Sequence, residues 1–133
     1  MSRLAGKKVI ICDDNALNIE LARYYLEEMQ METAGVLGGQ RAIELFQQNP
    51  PYTFDAIILD IRMPVMDGIR AAKKIRQMGR KDSETVAILA MSADMPDGIW
   101  EELQEAGIDD LLLKPLIQEE LEQKLLRITD GRS

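Results

Sequence analysis

Histidine is absent from the 133-residue chain, and cysteine occurs only once, as Cys12. The absence of histidine excludes a catalytic histidine, a histidine-bearing metal site and a role as a phosphohistidine donor. A single cysteine cannot form a disulfide within the chain, so we expect Cys12 to be a small core residue in a reducing environment. No apolar run reaches the length of a membrane-spanning helix, and the first residues lack the apolar core of a signal peptide. We therefore expect a cytoplasmic protein that is not embedded in a membrane.

Acidic residues outnumber basic ones, 23 to 16, which gives a formal net charge of −7. This balance disfavours nucleic acid and anionic membrane surfaces as partners, and it favours cations and basic protein surfaces. The 46% hydrophobic and 29% charged residues are typical of a globular protein of one domain. We expect a single domain over residues 1–133, with a core at about 7–128 and tails at 1–6 and 129–133. The expected state is a monomer or a weak dimer.

Short apolar runs alternate with segments of helical periodicity along the chain, a pattern typical of a parallel α/β sheet. We predict a doubly wound, five-stranded parallel sheet of the flavodoxin-like (βα)5 type, with strand order 2-1-3-4-5. Pro96 is predicted to lie in the first turn of the fourth helix, where its missing N–H costs nothing. The strands are expected at 7–12, 32–37, the run ending at Asp60, 86–91 and 111–113. The first helix is expected at 16–29, with an inward face formed by Leu17, Leu21, Tyr24, Tyr25 and Met29.

Polar side chains stand at the ends of four predicted strands. They are Asp13 and Asp14 after the first strand, Asp60 after the third, Ser92 after the fourth and Lys114 after the fifth. Ligands of open α/β sheets bind outside the carboxyl ends of the strands, so these side chains are expected to converge. Clustered carboxylates oppose one another's ionisation, and a bound Mg²⁺ would favour their charged forms while leaving positions for water and phosphate oxygens. The sequence therefore predicts a magnesium site that also binds a phosphoryl group.

An aspartate can attack phosphorus to form an acyl phosphate, and Asp60 is the predicted acceptor. Lys114 would neutralise charge on the transferred group, and Ser92 would donate a hydrogen bond to a phosphoryl oxygen. Each residue alone has an ordinary structural explanation, because Asp13-Asp14-Asn15 is typical of a helix start and the other positions suit turns. The combination at four strand ends favours a site.

With these residues in place, the chain resembles response-regulator receiver domains over nearly its whole length. The resemblance implies that Asp60 is the phosphoacceptor and that the Lys114–Pro115 peptide is cis. It also implies that Mg²⁺ is bound by Asp14, Asp60 and the backbone carbonyl of Arg62, while Asp13 orients bound water. The matching motifs are Asp13-Asp14, Asp60, Met63-Pro64, Asp67-Gly68, Ser92-Ala93 and Lys114-Pro115.

Two segments, Asp13 to Asn18 and Asp60 to Gly68, look most like receivers attached to hybrid sensor kinases. The partners implied are a histidine kinase or a histidine phosphotransfer protein, and, for a receiver within a hybrid kinase, the rest of that kinase chain. A stand-alone receiver fits the sequence almost as well. The resemblance implies a signalling domain, not an enzyme, although such a domain can catalyse its own phosphorylation and dephosphorylation.

One position departs from the family pattern. Receivers usually carry an aromatic residue three positions before the lysine, and its ring turns inward when the hydroxyl residue moves toward the phosphate. Here that position is Leu111, which we expect to be core packing. Signalling would then pass through Ser92 and the loop before the fourth helix, at a responsive face that includes Leu111 and Trp100. Ala93, Asp94 and Pro115 adjoin this switch.

Arg62 and Asp94 lie two residues beyond the acceptor and the hydroxyl residue, respectively. We predict that they flank the phosphoryl group and tune its hydrolysis, with an ion pair as one possibility.

Three other functions fit parts of the pattern. A receiver that never accepts phosphate and serves only as a docking module is possible but not favoured, because every acceptor residue is present. An aspartyl-phosphate phosphatase of the haloacid-dehalogenase type needs a second acid two residues after the nucleophile, and that position is Arg62. A flavodoxin-like nucleotide binder needs a glycine- or hydroxyl-rich phosphate cradle after the first strand, where Asp13 and Asp14 would repel phosphate.

Overall fold

A computed structural model of the chain describes residues 3–63 and 66–130 and shows a five-stranded parallel sheet. The strand order is β2-β1-β3-β4-β5, as predicted. The strands are β1 (Lys8–Asp13), β2 (Glu32–Leu37), β3 (Ala56–Asp60), β4 (Ala87–Ser92) and β5 (Asp110–Leu113). The helices are α1 (Ala16–Glu28), α2 (Gly39–Gln48), α3 (Gly68–Arg76), α4 (Ile99–Glu105) and α5 (Gln118–Thr129).

Helices cover both faces of the sheet, which is why β3 and β4 are buried along their whole length. On one face, α2, α3 and α4 pack on side chains such as Ile10, Ile57 and Ile88. On the other face, α1 and α5 pack on alternate residues of the same strands, such as Ile11 and Ile58. The predicted doubly wound fold is thus confirmed. Within the described residues, no helix is both long and apolar enough to cross a membrane.

The predicted inward face of α1 is wrong, because a different side of the helix is buried. Leu17, Leu21 and Tyr24 are 78%, 40% and 59% exposed, whereas Tyr25 is half-buried and Met29, just beyond the helix, is buried. The residues of α1 that are buried are Ile19, Ala22 and Leu26.

The buried side of α1 contacts the neighbouring edge strand. A Cβ at Gly35 of β2 would come within 2.6 Å of the Ile19 Cγ2 atom, so Ile19 packs where Gly35 has no side chain. Both apolar stripes of α1 have helical spacing, and the stripe that contains Ile19, Ala22 and Leu26 is the one that packs into the core.

The prediction for Pro96 is also wrong. Helix α4 begins at Ile99, and Gly98 before it adopts the left-handed conformation with φ of 80°, so the helix cannot include Pro96. The Pro96 carbonyl instead accepts a hydrogen bond from the Ile99 N–H in a turn. Residues 93–98 therefore form an exposed loop between β4 and α4. The predicted motif residue Pro64 lies outside the described residues.

Candidate functional site

Strands β1, β3 and β5 bring three charged side chains together at the carboxyl edge of the sheet. The Lys114 Nζ atom lies 3.2 Å from Asp13 Oδ2 and 3.2 Å from Asp60 Oδ2. Both carboxylates are buried, with 0% and 5% of their residue surface exposed. Two buried carboxylates thus share one ammonium group, which leaves an excess of negative charge at the strand ends.

Asp14 adds a third, exposed carboxylate to this cluster. Ligand oxygens of Asp13, Asp14 and Asp60 all lie within 4.8 Å of one another. Hydrogen bonds orient the two buried members, because Asp13 Oδ1 accepts from the Asn15 N–H at 3.0 Å and Asp60 Oδ1 accepts from the Arg62 N–H at 3.2 Å. Carboxylate oxygens are the ligands that Mg²⁺ prefers, so this donor set fits that ion.

The electrostatics of the cluster favour a cation. Burial raises the pKa of Asp60 above its ordinary value, and the Asp13 carboxylate raises it further, while Lys114 opposes both effects. Burial acts to lower the pKa of Lys114, but Asp60 and Asp13 outweigh burial and raise it. The ammonium is therefore firmly protonated at neutral pH, and it does not compensate the carboxylates fully.

The hydroxyl of Ser92 is engaged within its own loop. Ser92 Oγ donates to the Asp94 carbonyl oxygen at 2.6 Å and accepts from the Asp94 N–H at 3.3 Å. The side chain is buried at the end of β4, next to the Asp60 strand in the sheet. A role for Ser92 in binding a phosphoryl oxygen stays a prediction. That contact would require the hydroxyl to break its hydrogen bond to the Asp94 carbonyl.

Arg62 and Asp94 form an ion pair, which was one of the possibilities considered from the sequence. Arg62 Nη2 lies 2.9 Å from Asp94 Oδ1 and 3.0 Å from Asp94 Oδ2, and both side chains are more than half exposed. The pair joins the loop after β3 to the loop after β4, and these loops follow the acceptor candidate and Ser92. Its effect on hydrolysis stays a prediction.

The remaining predicted positions surround this cluster. Leu111 is buried in the core on the α2–α4 side of the sheet, as expected for core packing. The Lys114–Pro115 peptide is cis, as the family resemblance implied. Ala93 and Pro115 are exposed. The Lys114 N–H donates to the Ser92 carbonyl at 2.8 Å, which ties the ends of β4 and β5 together.

Cys12 is fully buried beside the acidic cluster. Burial raises the pKa of its thiol to about 12, and the nearby Asp13 and Asp60 carboxylates add to the effect. The thiol donates to the Met63 sulfur at 3.6 Å. Cys12 is therefore a protonated core residue at neutral pH, as the sequence suggested.

Gly68 has a role at the site that the motif match did not explain. A Cβ at Gly68 would collide with the backbone carbonyl oxygen of Asp60, and it would lie 3.0 Å from the Asp60 carbonyl carbon and 3.1 Å from Ile61 Cα. The Gly68 N–H also donates to the Ile61 carbonyl at 3.0 Å. The first turn of α3 is thus pressed against the backbone that carries Asp60. The signal in the sequence was a glycine directly after the helix-capping residue Asp67.

The fold and the site together define a flavodoxin-like domain with a cation-binding acidic cluster and a paired lysine at the carboxyl edge of its sheet. The family profile of the response regulator receiver domain matches residues 9–126. The chain therefore belongs to the response regulator receiver domain family, the module of two-component signalling.

Similar proteins include receivers within much longer kinases. A probable histidine kinase 6 of Oryza sativa subsp. japonica is 34% identical over 98% of this chain. A hybrid signal transduction histidine kinase L of Dictyostelium discoideum is 37% identical over 92% of this chain. The chain spans only 15% and 7% of the lengths of these two relatives.

A solved structure of similar fold is the receiver domain of the sensor histidine kinase PA1611 of Pseudomonas aeruginosa PAO1, which has a magnesium ion coordinated in its active-site cleft. Its sequence is 29% identical, the TM-score is 0.83, and the match covers 96% of this chain and 100% of that one.

Proposed function

We propose that this domain is a phosphoacceptor in a cytoplasmic two-component phosphorelay, in which Asp60 receives a phosphoryl group. The donor is the phosphohistidine of a histidine kinase or of a histidine phosphotransfer protein, and the domain itself is a part of, or a partner to, a hybrid kinase. The observation that carries the proposal is the pair of buried carboxylates, Asp13 and Asp60, that share the Lys114 ammonium beside Asp14.

The chemistry requires one bond to form and one to break. A carboxylate oxygen of Asp60 bonds to phosphorus while the bond from phosphorus to the donor imidazole nitrogen breaks, and the electron pair leaves with that nitrogen. With a proton on the other ring nitrogen of the donor phosphohistidine, the products are an acyl phosphate on Asp60 and a neutral imidazole. Because Lys114 is held protonated by its two carboxylate partners, it supplies positive charge to the phosphoryl oxygens without a change in its own protonation.

The residues that would hold Mg²⁺ are Asp14, Asp60 and the backbone carbonyl of Arg62, with Asp13 orienting a bound water. The cluster has three carboxylates and only one ammonium group, so its net negative charge favours the binding of a divalent cation. When bound, the ion offsets the combined negative charge of the carboxylates and the incoming phosphoryl group. The magnesium in the cleft of the similar P. aeruginosa receiver supports this choice of metal.

The response to phosphorylation would begin at Ser92. Its hydroxyl would leave the Asp94 carbonyl and donate to a phosphoryl oxygen, which moves the exposed loop containing Ala93 and Asp94. Leu111 has no aromatic ring to follow this movement, so the signal would pass through the loop and α4 to the face that includes β5. Pro115 borders the same site after Lys114.

Intact mass spectrometry after incubation with acetyl phosphate, and separately with a phosphorylated histidine phosphotransfer protein, tests the function. We expect a gain of one phosphoryl group that requires Mg²⁺ and is lost when EDTA is present. Absence of a gain from both donors with Mg²⁺ would contradict the proposal and favour a phosphate-independent docking module. Continuous release of inorganic phosphate from unrelated phosphomonoesters would instead indicate a phosphatase.

Removing the Arg62–Asp94 ion pair is expected to shorten the lifetime of the acyl phosphate. The pair joins the two loops beside Asp60, and its loss would admit water to the phosphoryl group. For Arg62→Ala/Asp94→Ala we expect hydrolysis to be about three- to tenfold faster, which corresponds to about 1 kcal/mol in the barrier. The decay of the phosphorylated mass after donor removal measures the rate. Arg3→Ala/Asp130→Ala, which removes another exposed Arg–Asp ion pair, is the matched control, and an unchanged lifetime in the Arg62/Asp94 variant would defeat the prediction.

A further inference from the structure

All the charged residues of helix α3 are basic, although the protein as a whole is acidic. Its nine residues include Arg70, Lys73, Lys74 and Arg76 and no acidic residue, in a chain whose net charge is −7. Arg76 is half-buried and has a structural role, because its Nε donates to the Gly107 carbonyl at 2.9 Å and its Nη1 to the Ser83 carbonyl at 3.1 Å. The other three basic side chains are exposed.

These three residues form one stripe. Arg70, Lys73 and Lys74 are spaced i, i+3 and i+4, so they lie on one face, opposite the buried Ala72 and Ile75. Among the described residues, none of the three is in an ion pair. The helix dipole favours Lys73 and Lys74 in the last turn, but it disfavours Arg70 in the first turn. Stabilisation of α3 alone therefore does not explain the stripe.

The neighbouring helix α4 has the opposite charge. It contains Glu101, Glu102 and Glu105, all exposed, and no basic residue. Within the part of the chain that the structure describes, no ion pair involves these glutamates either. Their spacing of i, i+1 and i+4 places them on one side of the helix, away from the buried Leu103.

The two helices are adjacent on the same layer of the molecule. They follow the neighbouring strands β3 and β4, pack into one core cluster, and are joined near their carboxyl ends by the Arg76 contact with Gly107. A groove where they approach each other is lined by Arg76 of α3 and by Trp100 and Gln104 of α4. The basic stripe of α3 and the acidic stripe of α4 are thus both exposed on the same layer, with this groove between the two helices.

We propose that α3 and α4 form a self-complementary docking face for a second copy of this chain. A two-fold axis between the helices would place the basic stripe of each copy against the acidic stripe of the other, so every contact forms twice. The chain itself supplies the complementary charge, which is why a second copy is favoured over a different acidic partner. Because the contact is electrostatic at an exposed surface, the dimer should weaken as salt is added.

Sedimentation analysis of the full chain and of two charge-reversed variants tests this arrangement. The first variant is Arg70→Glu/Lys73→Glu/Lys74→Glu, and the second is Glu101→Lys/Glu102→Lys/Glu105→Lys. At low salt we expect the wild type to dimerise and each variant alone to dimerise at least about tenfold more weakly, because like charges then face each other. An equimolar mixture of the two variants should restore the dimer, since every opposed pair of stripes again has opposite sign.

A third variant controls for net charge. Glu27→Lys/Glu28→Lys/Glu32→Lys changes the net charge as much as the α4 variant does, but at exposed positions on α1, which covers the other face of the sheet, and on β2. It should dimerise like the wild type. A wild type that stays monomeric at low salt overturns the proposal, as do unaffected charge-reversed variants or a mixture that stays monomeric. Thermal unfolding of each variant separates loss of the dimer from loss of the fold.

Discussion

Replacing Asp60 by asparagine is expected to abolish phosphoryl uptake and, at the same time, to stabilise the metal-free domain. The loss of uptake follows because an amide cannot form the acyl phosphate. Asparagine keeps nearly the same shape, and its carbonyl oxygen can still accept the Arg62 N–H that now binds Asp60 Oδ1. Its NH2 group would replace Oδ2 and cannot accept from Lys114, which keeps Asp13 as its carboxylate partner. This one substitution therefore removes phosphoryl uptake while it leaves the packing around residue 60 nearly unchanged.

The gain in stability follows from the charge balance of the site. Asp13 and Asp60 share Lys114, and burial together with Asp13 raises the pKa of Asp60. An acid whose pKa is raised on folding lowers the free energy of unfolding when it is ionised. We expect Asp60→Asn to raise that free energy by about 1 kcal/mol at neutral pH, with Asp13 and Lys114 left as a matched pair.

The pH dependence of this gain has a defined sign. The cost of ionised Asp60 is complete above its raised folded-state pKa. The cost falls as pH drops through that value, and it vanishes below the ordinary value of 3.8, where the carboxyl is protonated in both states. The difference between variant and wild type should therefore shrink on acidification. Mg²⁺ should also shrink it, because the ion binds the folded wild type more tightly than the variant.

Urea unfolding in EDTA and intact mass after exposure to the phosphodonor measure the two effects. Asp97→Asn is the matched control, since Asp97 is an exposed aspartate in the β4–α4 loop. The control should be phosphorylated normally and should have nearly wild-type stability. A phosphorylated Asp60→Asn protein would show that another residue is the acceptor, and a less stable one would contradict the charge balance described here.

Replacing Lys114 by methionine is expected to have the opposite effect on stability and a large effect on phosphorylation. The substitution removes the one ammonium between two buried carboxylates while keeping most of the side-chain volume. Breaking a buried ion pair by removing one partner typically costs 3–5 kcal/mol, and the partial exposure of Lys114 reduces this to about 2 kcal/mol. Loss of its charge from the transferred group should slow phosphorylation about a hundredfold or more.

The stability deficit of this variant should also depend on pH and on metal. Without Lys114 the pKa of Asp60 rises further, so the deficit is largest at neutral pH and decreases as Asp60 takes up a proton on acidification. In the wild type, the contribution of Lys114 is complete below its ordinary pKa of 10.5 and is lost only as pH rises through its raised folded-state value. Mg²⁺ should restore part of the lost stability by supplying positive charge.

Lys124→Met is the matched control for Lys114→Met. Lys124 is also a partly buried lysine that contacts a carboxylate, with its Nζ 3.4 Å from Asp110 Oδ1, but it lies on α5 away from the acidic cluster. Chemical unfolding and the rate of phosphorylation should be compared in both variants. If Lys124→Met slows phosphorylation as much as Lys114→Met does, the role assigned to Lys114 is wrong.

The amino-acid sequence by itself determined the sheet and the location of the site. Apolar runs such as 56–60 and 87–92, alternating with helical segments, are typical of strands buried on both faces of a parallel sheet, and residues directly after such strands meet at one edge. The clustering of Asp13, Asp60 and Lys114 was therefore predictable. It depends on which residues follow the strands, and it does not depend on how the core side chains pack.

Tertiary structure decided what depends on contacts between distant residues. The phase of α1 depends on packing against the sheet, where Gly35 leaves room for Ile19, and Gly68 is required by the backbone of Asp60 and not by its own helix. Ser92 is held by Asp94, and Asp94 is held by Arg62 from another loop. The periodicity of a helix shows that it has apolar stripes. It does not show which of two such stripes packs against the sheet. Loop side chains have no periodicity at all, so their partners follow only from the folded geometry.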